Sequence, residues 1–460
     1  MKNTLIFLNI LFGLLTTQLA FSQSLFNQHN PEEGLYKKMQ SIIQDINVGE
    51  IKNNTLFLNL NIDFFESILR EDSPITSLKI PFFNNESLTF NISEFTVYQD
   101  NIKVIRHTEN GKIEAEYNPK IRTYQVLKNN MDLIGVFVIS HTGIKALFEL
   151  ENQTYQIAKL NQVNSLEDQI YFMSNVQNTP IPFDFHCGHD YLDVQDMNNN
   201  HHNYRSGDLS GCIEIAMEID YFTSQTFDNY TDAIDWSLEM MAVANILYLD
   251  EIGFGIKSNS AEIWETQDPY ALFVEDAKNM LTSIRDTWIA DEELSNINRH
   301  LVHLFSKRNN TGTGGIAFLN GVGSNWNGYG FSSNLTGEQD YIDLPVPYFF
   351  WNIYCLTHEL GHNFGARHTQ WCGWPGGPID NCASIEEMVP GECASYNNNP
   401  SPEVGTIMSY CHTWSINDGG GIIMKFHNYV KNSIISYMLD QDLDDCGLDM
   451  IFGCVDSEAC

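Results

Sequence analysis

Three histidines and a glutamate stand close together in the stretch His358-Glu359-Leu360-Gly361-His362-Asn363-Phe364-Gly365-Ala366-Arg367-His368. On an α-helix, residues four apart lie on one face, so His358 and His362 would present their imidazoles to a common point. Glu359 would project beside them. Gly365 can take the positive φ that ends a helix and turns the chain, which would return His368 as a third nitrogen donor. Three neutral imidazoles suit zinc and leave a fourth position for water, the arrangement of a catalytic rather than a structural site. The metal would lower the pKa of that water to about 7, with Glu359 as the general base that later returns a proton to a leaving amine. A surface helix merely rich in histidine is the competing reading, and the added Gly365 and His368 weigh against it.

Such a cluster needs a rigid frame, and the surrounding chain divides into two kinds of grammar. Between residues 55 and 160 apolar residues alternate with period two, as in TLFLNLNIDFF, LTFNISEFTVY and LIGVFVIS, which predicts a β-rich unit. It contains no cysteine and no group of catalytic residue types. Residues 178–208 are rich in Pro, Asn and Gly and read as an exposed connector. Beyond it, strands and helices alternate. Strands are predicted at 212–222 and in IGFGIKSNSAEIW, HLVHLFSK and GGIAFLNGV, with helices at 228–247, capped by Thr231, and at 270–289. The expected architecture is an α/β (α+β) catalytic domain with a twisted mixed sheet and an active-site helix, preceded by a β-rich domain. In residue numbers this gives a signal peptide at 1–22, a β-rich propeptide and connector at 23–205, the zinc domain at 206–440 and an acidic, cysteine-containing tail at 441–460.

Bulk properties set the compartment. Lys2, the apolar run from Leu5 to Leu15 and the small-x-small pattern Ala20-Phe21-Ser22 form an export signal, so a secreted or cell-surface protein is expected. No later run is long and apolar enough for a transmembrane anchor. A formal net charge of −35 excludes nucleic acid as a partner, because phosphate binding needs a basic footprint. All ten cysteines lie from Cys187 onward, and in an oxidising compartment most should pair. The four from Cys372 to Cys411 would staple a loop-rich segment, and Cys355 with Cys446 would make a long bridge. The acidity would suit calcium as a structural ion, but there is no EF-hand-type loop and no residues are assigned to one. Nothing in the sequence assigns an oligomeric state.

The quoted stretch HELGHNFGARH resembles the extended zinc motif H-E-x-x-H-x-x-G-x-x-H of the metzincin metalloproteases. That resemblance implies a Met-turn downstream, which GTIMSYC at 405–411 matches, with Met408 packing beneath the metal. The flanking sequence is similar to the reprolysin or ADAM branch, and the likeness runs over roughly residues 212–439. It implies a zinc endopeptidase acting on a protein or peptide substrate laid along a rim strand near residues 314–322. Two positions depart from the branch: Thr369 follows His368 where Asp is common, and Tyr410 stands where astacins and serralysins carry a tyrosine that touches the zinc or the transition state, with core or loop packing as the competing and favoured reading of Tyr410.

Cys187, in FDFHCGHD, has two readings. Its thiolate would fill the open zinc position, as in the cysteine switch of related zymogens, or it would pair with Cys212. His186 and His189 flank it as further donors. Two rivals to the protease reading remain: a metzincin-fold binding or adhesion protein without turnover, and a zinc amidase for small-peptide or cell-wall substrates. The aromatic run at 348–351 would line a specificity pocket or belong to the core.

Overall fold

The computed structural model describes residues 24–443 apart from 32, 43–47, 71–74, 128–132, 161–169, 177–186, 189–191, 193–208, 210, 338–347, 388–390, 397–404, 415–419 and 442. The signal peptide, His186, His189, Cys446 and the tail after 443 lie outside the described residues. Among the described residues eleven strands precede the connector: β1 (Phe26–His29), β2 (Thr55–Leu60), β3 (Ser77–Pro81), β4 (Ser87–Phe95), β5 (Tyr98–Thr108), β6 (Gly111–Ala115), β7 (Ile121–Leu127), β8 (Leu133–Ser140), β9 (Gly143–Leu150), β10 (Gln153–Lys159) and β11 (Ile170–Asn175). With them come α1 (Glu33–Ile42), α2 (Val48–Asn54) and α3 (Ile62–Arg70). After it come β12 (Cys212–Ile219), α4 (Tyr221–Ser224), α5 (Tyr230–Glu251), β13 (Gly255–Trp264), α6 (Ala277–Ala290), α7 (Glu292–Ser295), β14 (Leu301–Phe305), β15 (Gly315–Ala317), β16 (Tyr329–Ser332), α8 (Tyr348–Asn363) and α9 (Asn428–Met438).

Nine strands of the first part form one sheet in the order β1-β2-β11-β10-β9-β8-β7-β4-β3, antiparallel throughout. Period two gives each strand two faces, and on the central strands β7 to β11 both are largely buried. On β8, Phe137 and Ile139 pack into the sheet's own core, while Val136 and Val138 join a core shared with α5. LIGVFVIS, expected to alternate, is instead almost wholly apolar because both of its faces are covered.

The second sheet has the order β15-β16-β14-β12-β13-β5-β6. Strands β16, β14, β12 and β13 are parallel, and β15 closes one edge antiparallel to β16. The other edge is a finding that sequence order does not suggest. The hairpin β5–β6 leaves the N-terminal part and pairs with β13, from Ser258 opposite Tyr98 to Trp264 opposite His107. The unit expected at 23–205 thus contributes strands to both sheets. Strand β12 is buried along its whole length, as a parallel strand covered on both faces must be: Ile213, Ile215 and Met217 share a core with α5 and α8, and Ala216 with α6.

Two helix starts differ from expectation. Asn229, not Thr231, caps α5, accepting a hydrogen bond from Asp232 N–H at 3.0 Å. Helix α6 begins at Ala277 behind the Asp276 cap, because residues 270–276 are held in turns by bonds such as Phe273 N–H to Tyr270 O.

Candidate metal centre

Helix α8 delivers His358, Glu359 and His362, all fully buried, from beneath β15 and β16. Its N-terminal aromatics Phe349, Phe350 and Trp351 are core residues, so they position the helix rather than line a specificity pocket. The helix ends at Asn363, whose side-chain amide donates to the carbonyls of Phe318 and Tyr329 at 2.8 and 3.1 Å, tying the helix end to the sheet. Gly365 follows with φ +91°, a conformation that side chains with a Cβ rarely adopt, and a Cβ there would also meet Asn320 Oδ1 at 2.9 Å. This turn brings His368 back to the helix.

Each histidine is oriented from behind. The Nδ1–H of His358 donates to Ile407 O at 2.8 Å, that of His362 to Ala366 O at 2.8 Å, and that of His368 to Glu386 Oε2 at 2.9 Å. Oxygen acceptors at every Nδ1 select the tautomer in which Nε2 carries a lone pair. The other ring edges converge: His362 Nε2 and His368 Nε2 are 3.2 Å apart. Cys187 Sγ lies 3.4 Å from His362 Nε2 and 3.5 Å from Glu359 Oε2. One ligand atom from each of Cys187, His358, His362 and His368 falls within 4.8 Å of the others, and all four residues are buried.

This donor set fits zinc. A tetrahedron with zinc–nitrogen arms of about 2.0–2.1 Å has edges of about 3.3 Å, and a zinc–sulfur arm of about 2.3 Å stretches the S–N edge to about 3.5 Å. The observed separations of 3.2 and 3.4 Å are close to both. Three lone pairs and a thiol facing inward in a buried space also need a cation to hold them together.

Met408 sits below the helix, its Sδ filling the space at Gly361, where a Cβ would come within 2.7 Å of the sulfur. Thr369, where the resembling branch commonly has Asp, donates its hydroxyl to Met408 O at 3.2 Å and its N–H to the same carbonyl at 3.0 Å. It couples the third histidine's loop to the turn at Met408. Tyr410 Oη is 3.3 Å from His368 Nε2.

Two cysteine readings are corrected. Cys187 forms no disulfide, and Cys212 is disulfide-bonded without it. Cys355 is likewise a thiol, sealed in α8 where burial pushes its pKa well up, so the Cys355–Cys446 bridge does not form. The four cysteines after the site do staple their loops, as Cys372–Cys393 and Cys382–Cys411. Glu386, held between those bridges, is the residue sequence reading missed. An isolated glutamate in a loop carries no spacing signal, and only the fold brings it to His368.

Residues 211–419 match a family model described as Reprolysin_5, metallo-peptidase family M12. Among characterised proteins the chain is similar to snake venom metalloproteinase trimerelysin-2 of Protobothrops flavoviridis, with 27% identity over 158 residues, 34% of this chain and 72% of that protein. Among solved structures it is similar to metalloproteinase-II from Bacteroides fragilis, at 11% identity and a TM-score of 0.36, over 67% of this chain and 85% of that one. Among the described residues no helix is long and apolar enough to cross a membrane.

Proposed function

Since the chain carries a reprolysin-like metzincin domain of family M12 over residues 211–419, a zinc metalloendopeptidase, we propose that it is a secreted endopeptidase made as a zymogen, with Glu359 as general base and Cys187 as the residue that holds it off. His358, His362 and His368 are the residues that would hold the zinc. When bound there, zinc supplies a Lewis acid for the scissile carbonyl and makes a water acidic enough to lose a proton near neutral pH.

The chain's own groups do the rest. Glu359 takes the proton from the attacking water and hands it to the leaving amine; its Oε2, 3.5 Å from Cys187 Sγ, faces the place that sulfur occupies in the uncut chain. Strand β15 is an edge strand of the catalytic sheet, buried in the uncut chain, and an extended polypeptide would add to it through main-chain hydrogen bonds once the connector has left, which selects a protein or peptide substrate. Cys187 sits in a parallel bridge with Gly315, the first residue of that strand. The connector therefore occupies both the metal position and the start of the substrate edge.

The observation that carries the reading is the place of Cys187, which completes a four-donor set with three histidines far from it in sequence. On this reading residues 23–205 are the propeptide, 206–440 the protease and 1–22 the export signal. The test is cleavage of casein and of quenched peptides by the full chain after a cut in the connector, beside Glu359→Ala and a chelated sample. Internal cuts by the wild type, with Glu359→Ala silent yet retaining zinc, are expected. Turnover that survives Glu359→Ala, or zinc-loaded chain that cuts no polypeptide after connector cleavage, would overturn it.

A further inference from the structure

Tyr410 is buried two residues beyond Met408, its ring centroid 4.9 Å from that of His368. Its hydroxyl accepts a hydrogen bond from Cys187 N–H at 3.0 Å, and the Cys187 carbonyl lies 3.4 Å from the same oxygen. Cys187 O at 3.4 Å and His368 Nε2 at 3.3 Å both lie within reach of the phenolic proton. With a cation on Nε2 that lone pair is occupied, which favours donation to the Cys187 carbonyl. One hydroxyl then holds both backbone polar groups of Cys187.

The holder is itself fixed. Thr413 donates to Tyr410 O through its N–H at 3.0 Å and its hydroxyl at 2.8 Å, and the adjoining Cys411 is bridged to Cys382. Cys187 lies in the connector, where a parallel bridge to Gly315 sets its strand direction and the Tyr410 hydroxyl meets its backbone N–H and C=O. Once a cysteine backbone is fixed, only χ1 remains to place its sulfur, and χ1 has three staggered wells. Gripping the N–H and the C=O therefore narrows the Sγ to those wells, and the one it occupies faces the histidines.

We propose that Tyr410 is the positioning residue of the zymogen latch: its hydroxyl grips the backbone of Cys187 and directs the thiol to the three histidines. This rests on the zymogen reading above and adds to it a residue on the catalytic side. Latency then depends on a hydroxyl of the protease domain as well as on the thiol of the connector. Departure of the connector removes both backbone partners from that hydroxyl and leaves it beside His368.

The test follows the alkylation rate of Cys187 in the zinc-loaded full chain, read by peptide mass spectrometry, with and without a chelator. Buried Cys355 is the internal control for general loosening. Wild type should react slowly and chelation should speed it. Tyr410→Phe keeps the ring against His368 and should raise the Cys187 rate in the zinc-loaded chain roughly three- to thirtyfold, the effect of losing one to two neutral hydrogen bonds, with Cys355 unchanged. Thr413→Val, at an exposed position, loosens the base of the grip and should give a smaller rise. An unchanged Cys187 rate in Tyr410→Phe, with chelation still effective, overturns the proposal and leaves the zymogen reading standing. Cys355 rising in step with Cys187 overturns it as mere loosening. A wild-type rate indifferent to chelation removes the zymogen reading and this inference with it.

Discussion

Cys187 Sγ lies 3.4 Å from His362 Nε2 although 175 residues separate the two in the chain. A thiolate is a strong zinc ligand, whereas a serine hydroxyl stays protonated near neutral pH and binds weakly. Cys187→Ser should therefore raise the initial rate of peptide hydrolysis by the uncut chain, roughly tenfold or more on the strength of a lost zinc–thiolate bond. A quenched-peptide assay on freshly purified protein reads this directly. A rate equal to wild type would remove Cys187 from the latch.

The His368–Glu386 contact predicts an effect on metal affinity. With its Nδ1–H bonded to a carboxylate 2.9 Å away, His368 is oriented and made more basic. Replacing Glu386 by Ala should weaken zinc binding by about 10- to 100-fold, as measured by competition with a chromophoric chelator. Unchanged affinity would mean that the loops bridged by Cys372–Cys393 and Cys382–Cys411 hold His368 without help.

Lys145 of β9 and Glu239 of α5 form an ion pair across the contact between the two parts of the chain, with exposures of only 6% and 3%. Ser140 donates to the same carboxylate at 2.9 Å. Lys145→Ala leaves a buried anion behind and should destabilise the chain by about 3–5 kcal/mol, whereas Lys145→Met with Glu239→Leu should be close to neutral. Denaturant unfolding of both variants provides the comparison. A single mutant as stable as the double would show that the pair is solvated in solution.

Glu218 is wholly buried, and desolvation raises its pKa to about 7 against the pull of hydrogen bonds from Tyr270, Trp288 and Trp264. A carboxyl whose folded-state pKa is raised contributes stability that is fully present below its ordinary value and is lost as pH rises through the folded one. The window is therefore pH 4.5 to about 7, and the amount is on the order of 3 kcal/mol at about 1.4 kcal/mol per unit. Glu218→Gln should be less stable overall, since an amide cannot accept all three bonds, but its stability should fall less steeply across that window. Denaturation midpoints at a series of pH values decide it: parallel curves for wild type and variant would mean that Glu218 does not titrate there.

The convergence of the three histidines was largely legible because its spacing is local. The i, i+4 offset of His358 and His362 and the turn at Gly365 follow from helix geometry and from φ at one residue, both written in adjacent positions. The strands of the N-terminal part were legible for the same reason. Helix starts were less so, since Asn229 and Thr231 are both competent caps and only the packing of α5 chooses between them.

What the sequence by itself determined is the local donor set: three histidines and a glutamate on one helix and its following turn. What only the tertiary structure decided is everything that reaches this site from far along the chain: Cys187 on the histidines, Glu386 behind His368, Tyr410 against the Cys187 backbone, and β5 beside β13. Short-range geometry repeats with the period of the backbone and can be read from spacing. Long-range contacts are selected by burial and complementarity over the whole fold, and a lone cysteine, glutamate or hairpin has no period to announce them.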